Sequence, residues 1–437
     1  MYIKKHLSFS ALRASLSELF GQISDSRQPG KVDYCLHDCL MSALAMMFFQ
    51  DPSLLSFLRR LEDPLQCGNL NALFAVETIP QDSCLRESLD AVDTAAINPA
   101  FGILLQRLQR GNQLCAFRFL DHYYLLGLDG SQYFCSEKIH CPSCLIYKGA
   151  KGPLRYSHPI LQAVILNPHM RQVLPLAPEP IANTDGRKKQ DCELSAAKRF
   201  LSKIRSAQPK LPIIITADGL YSDQPFVQAL KNARMSFILV AKPADHKILF
   251  EWVQELEALG DARRMELTDA KGRRHIYRWL NQVPLNGGKD ADLVNFFEYF
   301  LQVDQKTTYH NSWVTDLAVS RDNVVELVQG GRARWKIENE TFNTLKNQGY
   351  HIEHNFGHGN QHLSLNFFVL NLLAFFIHQI LFQFAFKMTL CYILVMEVGH
   401  GEKISNSRRR NCPGQAIARH GQEHCSVSQG AVGHLGS

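Results

Sequence analysis

Residues 211 to 243 read LPIIITADGLYSDQPFVQALKNARMSFILVAKP, and they decide the fold. An apolar run ends just before Asp218, a helical stretch follows, and a second apolar run closes the segment. A continuous run of branched residues suits a strand that is covered on both faces. Strand, tight turn, helix and strand in this order predict a βαβ unit, and therefore a mixed α/β sheet.

The segments before this unit add further elements to the sheet. The sequence HYYLLGLDGSQYFCSEKIH (122–140) carries two aromatic and branched runs around Asp129-Gly130, which predict neighbouring strands joined by a turn. SHPILQAVILN (157–167) predicts a third strand. RKKQDCELSAAKRFLSKI (187–204) predicts a helix that Asp191 opens, with Glu193 near its positive end.

A carboxylate in a later helical segment, RARWKIENETFNTLKNQGYHIEHNFGHG (332–359), requires an explanation. At about 100° per residue, Trp335, Phe342 and Leu345 fall on one side of an α-helix. This projection places Glu338 in the middle of the predicted buried face. A buried carboxylate is costly unless it is paired, neutralised or bound to a metal ion. A pair between Arg334 and Glu338, at i and i+4, is the simpler interpretation.

The rest of the chain divides into segments of different character. Residues 1–118 carry apolar residues at helical spacing in SALRASLSELFGQI, CLHDCLMSALAMMFF, SLLSFLRRL and INPAFGILLQRLQRG. Residues 244–325 alternate charged helical pieces with short strand-like pieces, which predicts an insertion. Residues 399–437 lack aromatic side chains and contain seven glycines, which predicts disorder. The predicted domains are a helical, DNA-binding domain (1–118), a catalytic domain in two parts (119–243 and 326–398), the insertion (244–325) and a disordered, frameshifted tail (399–437).

Composition excludes several classes of protein. The chain has 437 residues, 46% of them hydrophobic, and a net charge of +6, which permits a nucleic-acid partner without requiring one. Its twelve cysteines are scattered, and no apolar secretory leader opens the sequence, so a reducing cytoplasm is expected. Residues 354–386 lack Asp, Glu, Lys and Arg and are long enough to span a membrane. Their Asn, Gln and His residues favour a helix buried in a large core instead.

Three carboxylates form the most specific chemical pattern. Asp129 and Asp218 each follow an apolar strand, where turn formation alone explains a single aspartate. Together with Glu338 from a later helix, they are expected to converge at one edge of the sheet. Three carboxylates in one place repel one another unless divalent cations neutralise them, and Mg²⁺ prefers such oxygen ligands. The pattern predicts a two-metal site for phosphoryl transfer, with Arg334 and Lys346 placed to contact phosphate.

The segments around these three residues resemble the DDE transposases of bacterial insertion sequences, of the insertion-sequence-four type. The resemblance extends from about residue 28 to about residue 380 and is strongest around Glu338. It implies a ribonuclease H-like catalytic domain with a β-rich insertion before the Glu helix. It also implies two Mg²⁺ ions, or Mn²⁺ in their place, and cutting and joining of double-stranded DNA by a homodimer on two element ends. The expected location is the bacterial cytoplasm, associated with the nucleoid.

The family's Tyr, Arg, Glu, Lys signature matches this sequence only in part. Arg334 and Glu338 keep the expected spacing, the tyrosine position falls on Gly331, and Lys346 lies one residue farther from the Glu than usual. The main functional alternative is an inactive or cleavage-only nucleic-acid-binding protein of the same fold.

Two clusters suggest a different metal. Cys141 and Cys144, with Cys135 and His140, contain one half of a zinc motif. A second cluster consists of His351, His354, His358 and His362. No second closely matched pair accompanies either cluster, so a compact loop in a hairpin and polar residues at a helix end are expected instead. Trp279 is expected to be a half-buried strand residue, and the basic run 187–190 to be a solvated surface.

Overall fold

A twelve-stranded sheet with flanking helices dominates the computed structural model, which describes residues 5–28, 30, 32–148, 152–183 and 190–385. The strands are β1 (Arg118–Phe119), β2 (Tyr123–Ser136), β3 (Leu145–Lys148), β4 (Leu154–Leu166), β5 (Leu174–Pro175), β6 (Glu179–Pro180), β7 (Ile213–Ala217), β8 (Ser236–Val240), β9 (Arg263–Thr268), β10 (Arg274–Pro284), β11 (Leu293–Val303) and β12 (Lys306–Thr315). The α-helices are α1 (Phe9–Gly21), α2 (Leu36–Phe48), α3 (Leu54–Arg60), α4 (Pro64–Phe74), α5 (Asp82–Asp90), α6 (Thr94–Ile97), α7 (Pro99–Arg110), α8 (Glu193–Ala207), α9 (Gln224–Asn232), α10 (Lys247–Ala258), α11 (Val324–Ala333), α12 (Asn343–Asn347) and α13 (Leu363–Ile380). Short 3₁₀-helices cover Lys5–Leu7, Leu114–Phe117 and Gly219–Tyr221, and π-helices cover Ile337–Phe342 and Leu381–Ala385.

The strand order along the sheet is β3-β4-β2-β7-β8-β12-β11-β10-β9, with β1 beside β2, and with β5 and β6 beside β4. Strands β2, β7 and β8 are parallel neighbours, whereas β4 is antiparallel to β2 and β12 is antiparallel to β8. The predicted mixed α/β sheet is therefore confirmed. The segment 211–243 forms β7, α9 and β8, because its apolar runs are buried between helices on both sides of the sheet.

The region around Asp129-Gly130 differs from its prediction. Residues 123–136 form one continuous strand, β2, and not two strands joined by a turn. Within this strand Asp129 pairs with Gln162 of β4, and the pairing continues to Ser136 with one irregularity after Gln132. The Asp-Gly pair stays extended because β4, which is almost as long as β2, pairs with the residues of β2 both before and after it.

The helices before the first strand agree with the helical periodicity of the sequence. Each of the four predicted helices exists, as α1, α2, α3 and α7, while α4, α5 and α6 lie in stretches for which no individual helix was predicted. The insertion contains α10 and strands β9 to β12, as expected, and β12 joins it to the main sheet beside β8. Trp279, expected to be half-buried, is 5% exposed on β10. The predicted domain boundaries stay predictions.

Helix α13 lies at the centre of the helical layer and packs against α2 and α5. The segment Leu363–Gln383 is long and apolar enough to cross a membrane, yet it is mostly buried inside the structure. Its polar side chains have partners: Asn371 donates to the Tyr350 carbonyl (2.6 Å), and His378 is hydrogen-bonded to the Tyr350 hydroxyl (2.7 Å). The prediction of a buried core helix is confirmed, whereas the predicted location in the cell stays a prediction.

Two expectations concern segments that lie partly or wholly outside the described residues. Helix α8 begins at Glu193 rather than at Asp191, whose carboxylate is instead paired with Arg199 at 2.7 Å. Most of the basic run 187–190 and the whole of the tail 399–437 lie outside the described residues.

Candidate functional site

Two of the predicted carboxylates lie side by side on the sheet. Strands β2 and β7 are parallel, and their last register pair joins Gly127 to Thr216. Two residues farther along each strand, this register sets Asp129 beside Asp218. Asp218 ends the buried run of β7 and begins a 3₁₀ turn, because its Oδ1 accepts the Leu220 amide at 2.9 Å. The sequence prediction that these two strands are neighbours in one sheet is confirmed.

The third carboxylate comes from a helix that packs on β2. Ile337 faces Gly127, where a Cβ would lie 3.7 Å from the Cβ of Ile337. Side chains alternate along a strand, so Asp129 shares the face of Gly127 and points to the same helix. The next residue on that helix is Glu338. The prediction that the Glu338 helix packs against the sheet is confirmed.

The predicted face of this helix was wrong in part. Trp335 is 52% exposed, and the Glu338 side chain is 37% exposed at the border of the buried side. The buried positions are Ile337, Thr341, Phe342, Thr344 and Leu345. The error has a physical cause, since Ile337–Phe342 is a π-helix, whose wider turns shift each side chain away from the 100° projection. Such π-helical turns often occur at functional sites.

Arg334 connects two of the three carboxylates. Its Nη1 lies 2.8 Å from Oε1 of Glu338 and 3.7 Å from Oδ2 of Asp129, and its side chain is 12% exposed. The simpler interpretation of the sequence, an i, i+4 pair, is therefore present. The contact with Asp129 is additional to this pair. It links the helix to strand β2 through the guanidinium group of Arg334.

A fourth carboxylate, Glu193, belongs to this group, and sequence reasoning missed it. Glu193 lies in the first turn of α8, and its carboxylate covers Gly130 so closely that a Cβ there would collide with it. Its Oε1 accepts a hydrogen bond from the hydroxyl of the buried Tyr221. The sequence had identified Glu193 only as favourable at a helix N-terminus, and nothing in its spacing linked it to Asp129.

The electrostatics of the group centre on Asp129. Burial raises the pKa of Asp129 to about 7, the cation Arg334 opposes this rise, and Glu338, Glu193 and Asp218 add to it. Burial also raises the pKa of Tyr221, and Glu193 adds to that shift, which keeps its hydroxyl a hydrogen-bond donor. The site therefore holds more negative charge than its contacting guanidinium balances.

Lys346 lies apart from these carboxylates in the described structure. Its Nζ is paired with Oε1 of Glu353 at 2.7 Å, and the two side chains are 35% and 60% exposed. Its predicted contact with phosphate stays a prediction.

Two groups of potential ligands in the described part of the chain are tight enough to share one metal ion. One is Cys141, Cys144, His158 and His358, and the other is Cys35, His37 and Asp38. Neither contains Asp129, Asp218 or Glu338, whose oxygens are spaced more widely. Cys135 and His140, which the sequence pattern groups with Cys141 and Cys144, are not part of either group.

Comparison with known protein families gives no match for this chain, and comparison with curated proteins gives none.

Proposed function

We propose that this protein is a DNA transposase that cleaves element ends and joins them to target DNA in a divalent-metal-dependent reaction. The observation that carries the proposal is the position of Asp129 beside Asp218 on adjacent parallel strands, with Glu338 on the helix that packs over them. Carboxylates from two strands and one later helix are the pattern that the resemblance to DDE transposases rests on. The proposal includes a ribonuclease H-like arrangement of the catalytic strands.

The order of elements along the chain supports this proposal. The resemblance implies a β-rich insertion before the Glu helix, and strands β9 to β12 lie between β8 and the helix that carries Glu338. The insertion extends the same sheet through β12, so the strands of Asp129 and Asp218 stay in its interior. Interior strands hold their ends more rigidly than edge strands, which is what a catalytic constellation needs.

The chemistry of the donor set fits magnesium or manganese. Asp129, Asp218 and Glu338 offer hard oxygen ligands. Burial raises the pKa of Asp129 to about 7, Arg334 opposes this rise, and the neighbouring carboxylates of Glu338, Glu193 and Asp218 add to it. Divalent ions bound there would activate the attacking oxygen and neutralise charge on the leaving oxygen. The repulsion among the carboxylates is the physical reason why such ions would bind.

The protein's own residues would position the reacting groups, and the reaction would take two steps. Asp129, Asp218 and Glu338 would hold their oxygens together where the Glu338 helix packs on the sheet, and Arg334 would align Glu338 against Asp129. In the first step water attacks the phosphorus at the element end, and the bond to the 3′-oxygen breaks to leave a 3′-hydroxyl. In the second step this hydroxyl attacks a target phosphodiester, forms a new ester bond and displaces a target 3′-hydroxyl.

One departure from the family pattern has a structural reason. At Gly331, where the signature has tyrosine, a Cβ would lie within 3 Å of the indole of Trp313, which is fully buried on β12. A tyrosine cannot be accommodated there without moving that indole. In this chain the contribution of the family's tyrosine must therefore come from another residue or be absent.

The test is cleavage of labelled DNA that carries the inverted terminal repeats flanking the gene, with Mg²⁺. Glu338→Gln, Asp129→Asn and Asp218→Asn each remove one charged ligand and nearly preserve shape. We expect each to reduce cleavage by more than about 100-fold, because removal of an outer-shell partner alone costs 10–100-fold. Glu340→Gln is the matched control, since Glu340 lies on the same π-helix and contacts Arg171 instead.

DNA binding, followed by gel shift, separates the proposal from its alternative. Backbone affinity comes mainly from Lys and Arg contacts with phosphate, so the three variants should still bind. Cleavage without joining of ends to a target would identify the cleavage-only alternative. Full cleavage by Glu338→Gln would exclude Glu338 from catalysis and overturn the proposal.

A further inference from the structure

Four side chains from distant parts of the sequence lie close together near the neighbouring strands β2, β3 and β4. Cys141 and Cys144 lie in the loop between β2 and β3, His158 lies on β4, and His358 follows the Glu338 helix, 200 residues beyond His158. Their ligand atoms all lie within 4.8 Å of one another. Cys144 and His158 are buried, and the aromatic rings of Tyr133 and Phe134 pack against the histidines.

We propose that these four residues form a tetrahedral structural zinc site. Zinc binds thiolate sulfur at about 2.3 Å and imidazole nitrogen at about 2.0–2.1 Å. In a tetrahedron, these bond lengths separate two sulfurs by about 3.8 Å, sulfur from nitrogen by about 3.6 Å, and two nitrogens by about 3.3 Å. The ligand geometry can be compared with these values directly.

The observed distances agree with this tetrahedron. The two sulfurs of Cys141 and Cys144 are 3.8 Å apart, and the Nε2 atoms of His158 and His358 are 3.2 Å apart. Nε2 of His158 lies 3.4 Å from Sγ of Cys141 and 3.3 Å from Sγ of Cys144. Sγ of Cys144 lies 3.7 Å from Nε2 of His358.

Hydrogen bonds alone do not explain this arrangement. Nδ1 of His358 must donate to the carbonyl oxygen of Gly359, at 2.9 Å, because a carbonyl can only accept. In the neutral imidazole this leaves a lone pair on Nε2, aimed at the other three ligands. Each Nε2 can make one hydrogen bond, yet His158 Nε2 has three close neighbours. A single cation at the centre satisfies all four atoms, and the Gly359 contact is the usual outer partner of a metal-bound histidine.

A disulfide is the other known use of a Cys-x-x-Cys pair, and the geometry disfavours it. A disulfide has its sulfurs about 2.05 Å apart, whereas Cys141 and Cys144 are separated by 3.8 Å and both are free thiols. The rival ligand group, Cys35, His37 and Asp38, is also less suited to zinc. Its atoms already serve as helix caps and backbone acceptors, since Cys35 caps α2 and Asp38 accepts two amides from Glu77 and Thr78.

The zinc site would fasten the segment after the Glu338 helix to the sheet. A second anchor lies beside it: Asp90 accepts backbone amides from four consecutive residues, Asn360 to Leu363, at 2.9–3.0 Å. With four protein ligands the site is closed, which is typical of structural rather than catalytic zinc. The proposal is independent of DNA chemistry and does not rest on the proposed function.

The experiment measures zinc in the full-length protein, purified from zinc-supplemented culture and dialysed against a weak chelator. We expect about one tightly bound zinc per chain, as a closed four-ligand site predicts. Cys144→Ser and His358→Ala should lose it. Cys135→Ser and Cys35→Ser are the controls, because Cys135 is an exposed cysteine on β2 and Cys35 belongs to the rival group, and both variants should retain it.

Wild-type protein without bound zinc, or ligand variants that keep it, would overturn the proposal, as would an oxidised Cys141–Cys144 pair. If the ligand variants prove insoluble, cobalt(II) added to the metal-depleted wild type should give intense visible bands and a near-ultraviolet thiolate band. His358→Cys keeps four ligands and adds a third thiolate. Its cobalt thiolate band should therefore rise by about half relative to two thiolates, and an unchanged band would contradict the assignment.

Discussion

The carboxylate group and the Cys/His group are two clusters of ionisable side chains on the same strand system, and their geometries differ. The carboxylates of Asp129 and Glu338 are held apart with Arg334 between them, whereas the four Cys and His ligands converge on one point. Like charges repel, so a carboxylate group can close only around cations. Neutral imidazoles and thiols can be packed together beforehand by the fold. The carboxylate group is thus suited to bind exchangeable ions together with substrate. The Cys/His group is suited to hold one ion permanently.

The largest expected effect on stability comes from the Cys/His group. Cys144→Ser should lower the free energy of unfolding by several kcal/mol, on the order of 5, because structural zinc contributes binding energy directly to folding. Thermal unfolding monitored by circular dichroism, in wild type and in the Cys135→Ser control, measures the difference. Removal of Mg²⁺ from the wild type should lower the melting temperature by much less than loss of zinc does. Equal destabilisation by Cys135→Ser would break the distinction between the two clusters.

His378 is a buried histidine outside both clusters, and its effect on stability at acid pH provides a contrast with them. Burial lowers the pKa of His378 to about 4, below its unfolded value of about 6.5, so the unfolded chain binds the proton first as pH falls. The stability contribution is complete above about pH 6.5 and is lost towards pH 4, with about 2 kcal/mol lost by pH 5.

His378→Asn removes the titration and keeps a polar atom near the Tyr350 hydroxyl. Urea unfolding at pH 7 and pH 5 should therefore show a smaller loss for this variant than for the wild type. His169→Asn is the control for histidine removal as such, since His169 lies in a partly exposed turn after β4. Equal losses in wild type and His378→Asn would show that His378 is not the group responsible.

The carboxylate group should behave in the opposite sense. The folded pKa of Asp129, about 7, lies above its usual value, so folding favours the protonated form, and the stability contributed by this proton falls as pH rises from about 4 through 7. Asp129→Asn should therefore be more stable than wild type at pH 8 without Mg²⁺, by about 2 kcal/mol after allowance for relaxation and screening.

Urea unfolding at pH 8 and pH 4.5 measures this gain, which should shrink at the lower pH. Added Mg²⁺ should stabilise the wild type and have little effect on Asp129→Asn. Glu340→Gln, on the π-helix, should show neither behaviour. A wild type that is more stable than Asp129→Asn at pH 8 without metal would mean that Arg334 already compensates the charge fully.

Local pattern was sufficient to predict the elements of this fold. The βαβ unit, the helices α1, α2, α3 and α7 and the neighbouring strands of Asp129 and Asp218 all follow from runs and periodicities within a few residues. The continuous strand β2 was not predictable in this way, because its pairing partner β4 is distant in sequence, with Asp129 opposite Gln162. The π-helix at Glu338 was missed for a related reason, since tertiary packing, not local sequence, shifts the register of its buried side.

Local sequence predicted the residues of the candidate sites less completely than it predicted the elements of the fold. Spacing identified Asp129, Asp218 and Glu338, but the contribution of Glu193 depends on how α8 crosses Gly130. In the Cys/His group, Cys141 and Cys144 were recognisable as half of a motif. His158 and His358 are separated by 200 residues, and only the folded chain brings them to those thiols.

The smallest effect on stability is expected for Lys346→Ala. This variant tests whether Lys346 contacts DNA phosphate or only forms a surface ion pair. Lys346→Ala removes an exposed pair with Glu353, which should change the free energy of unfolding by less than about 1 kcal/mol. If Lys346 contacts a DNA phosphate, its removal should also reduce the slope of log binding constant against log salt by about 1, because one fewer counterion is released. Gel-shift titrations between low and moderate salt measure this slope. Glu353→Gln frees Lys346 without removing its charge and should leave the slope unchanged or slightly steeper. An unchanged slope in Lys346→Ala would show that this lysine serves only its pair with Glu353, and that the phosphate contacts lie nearer Arg334.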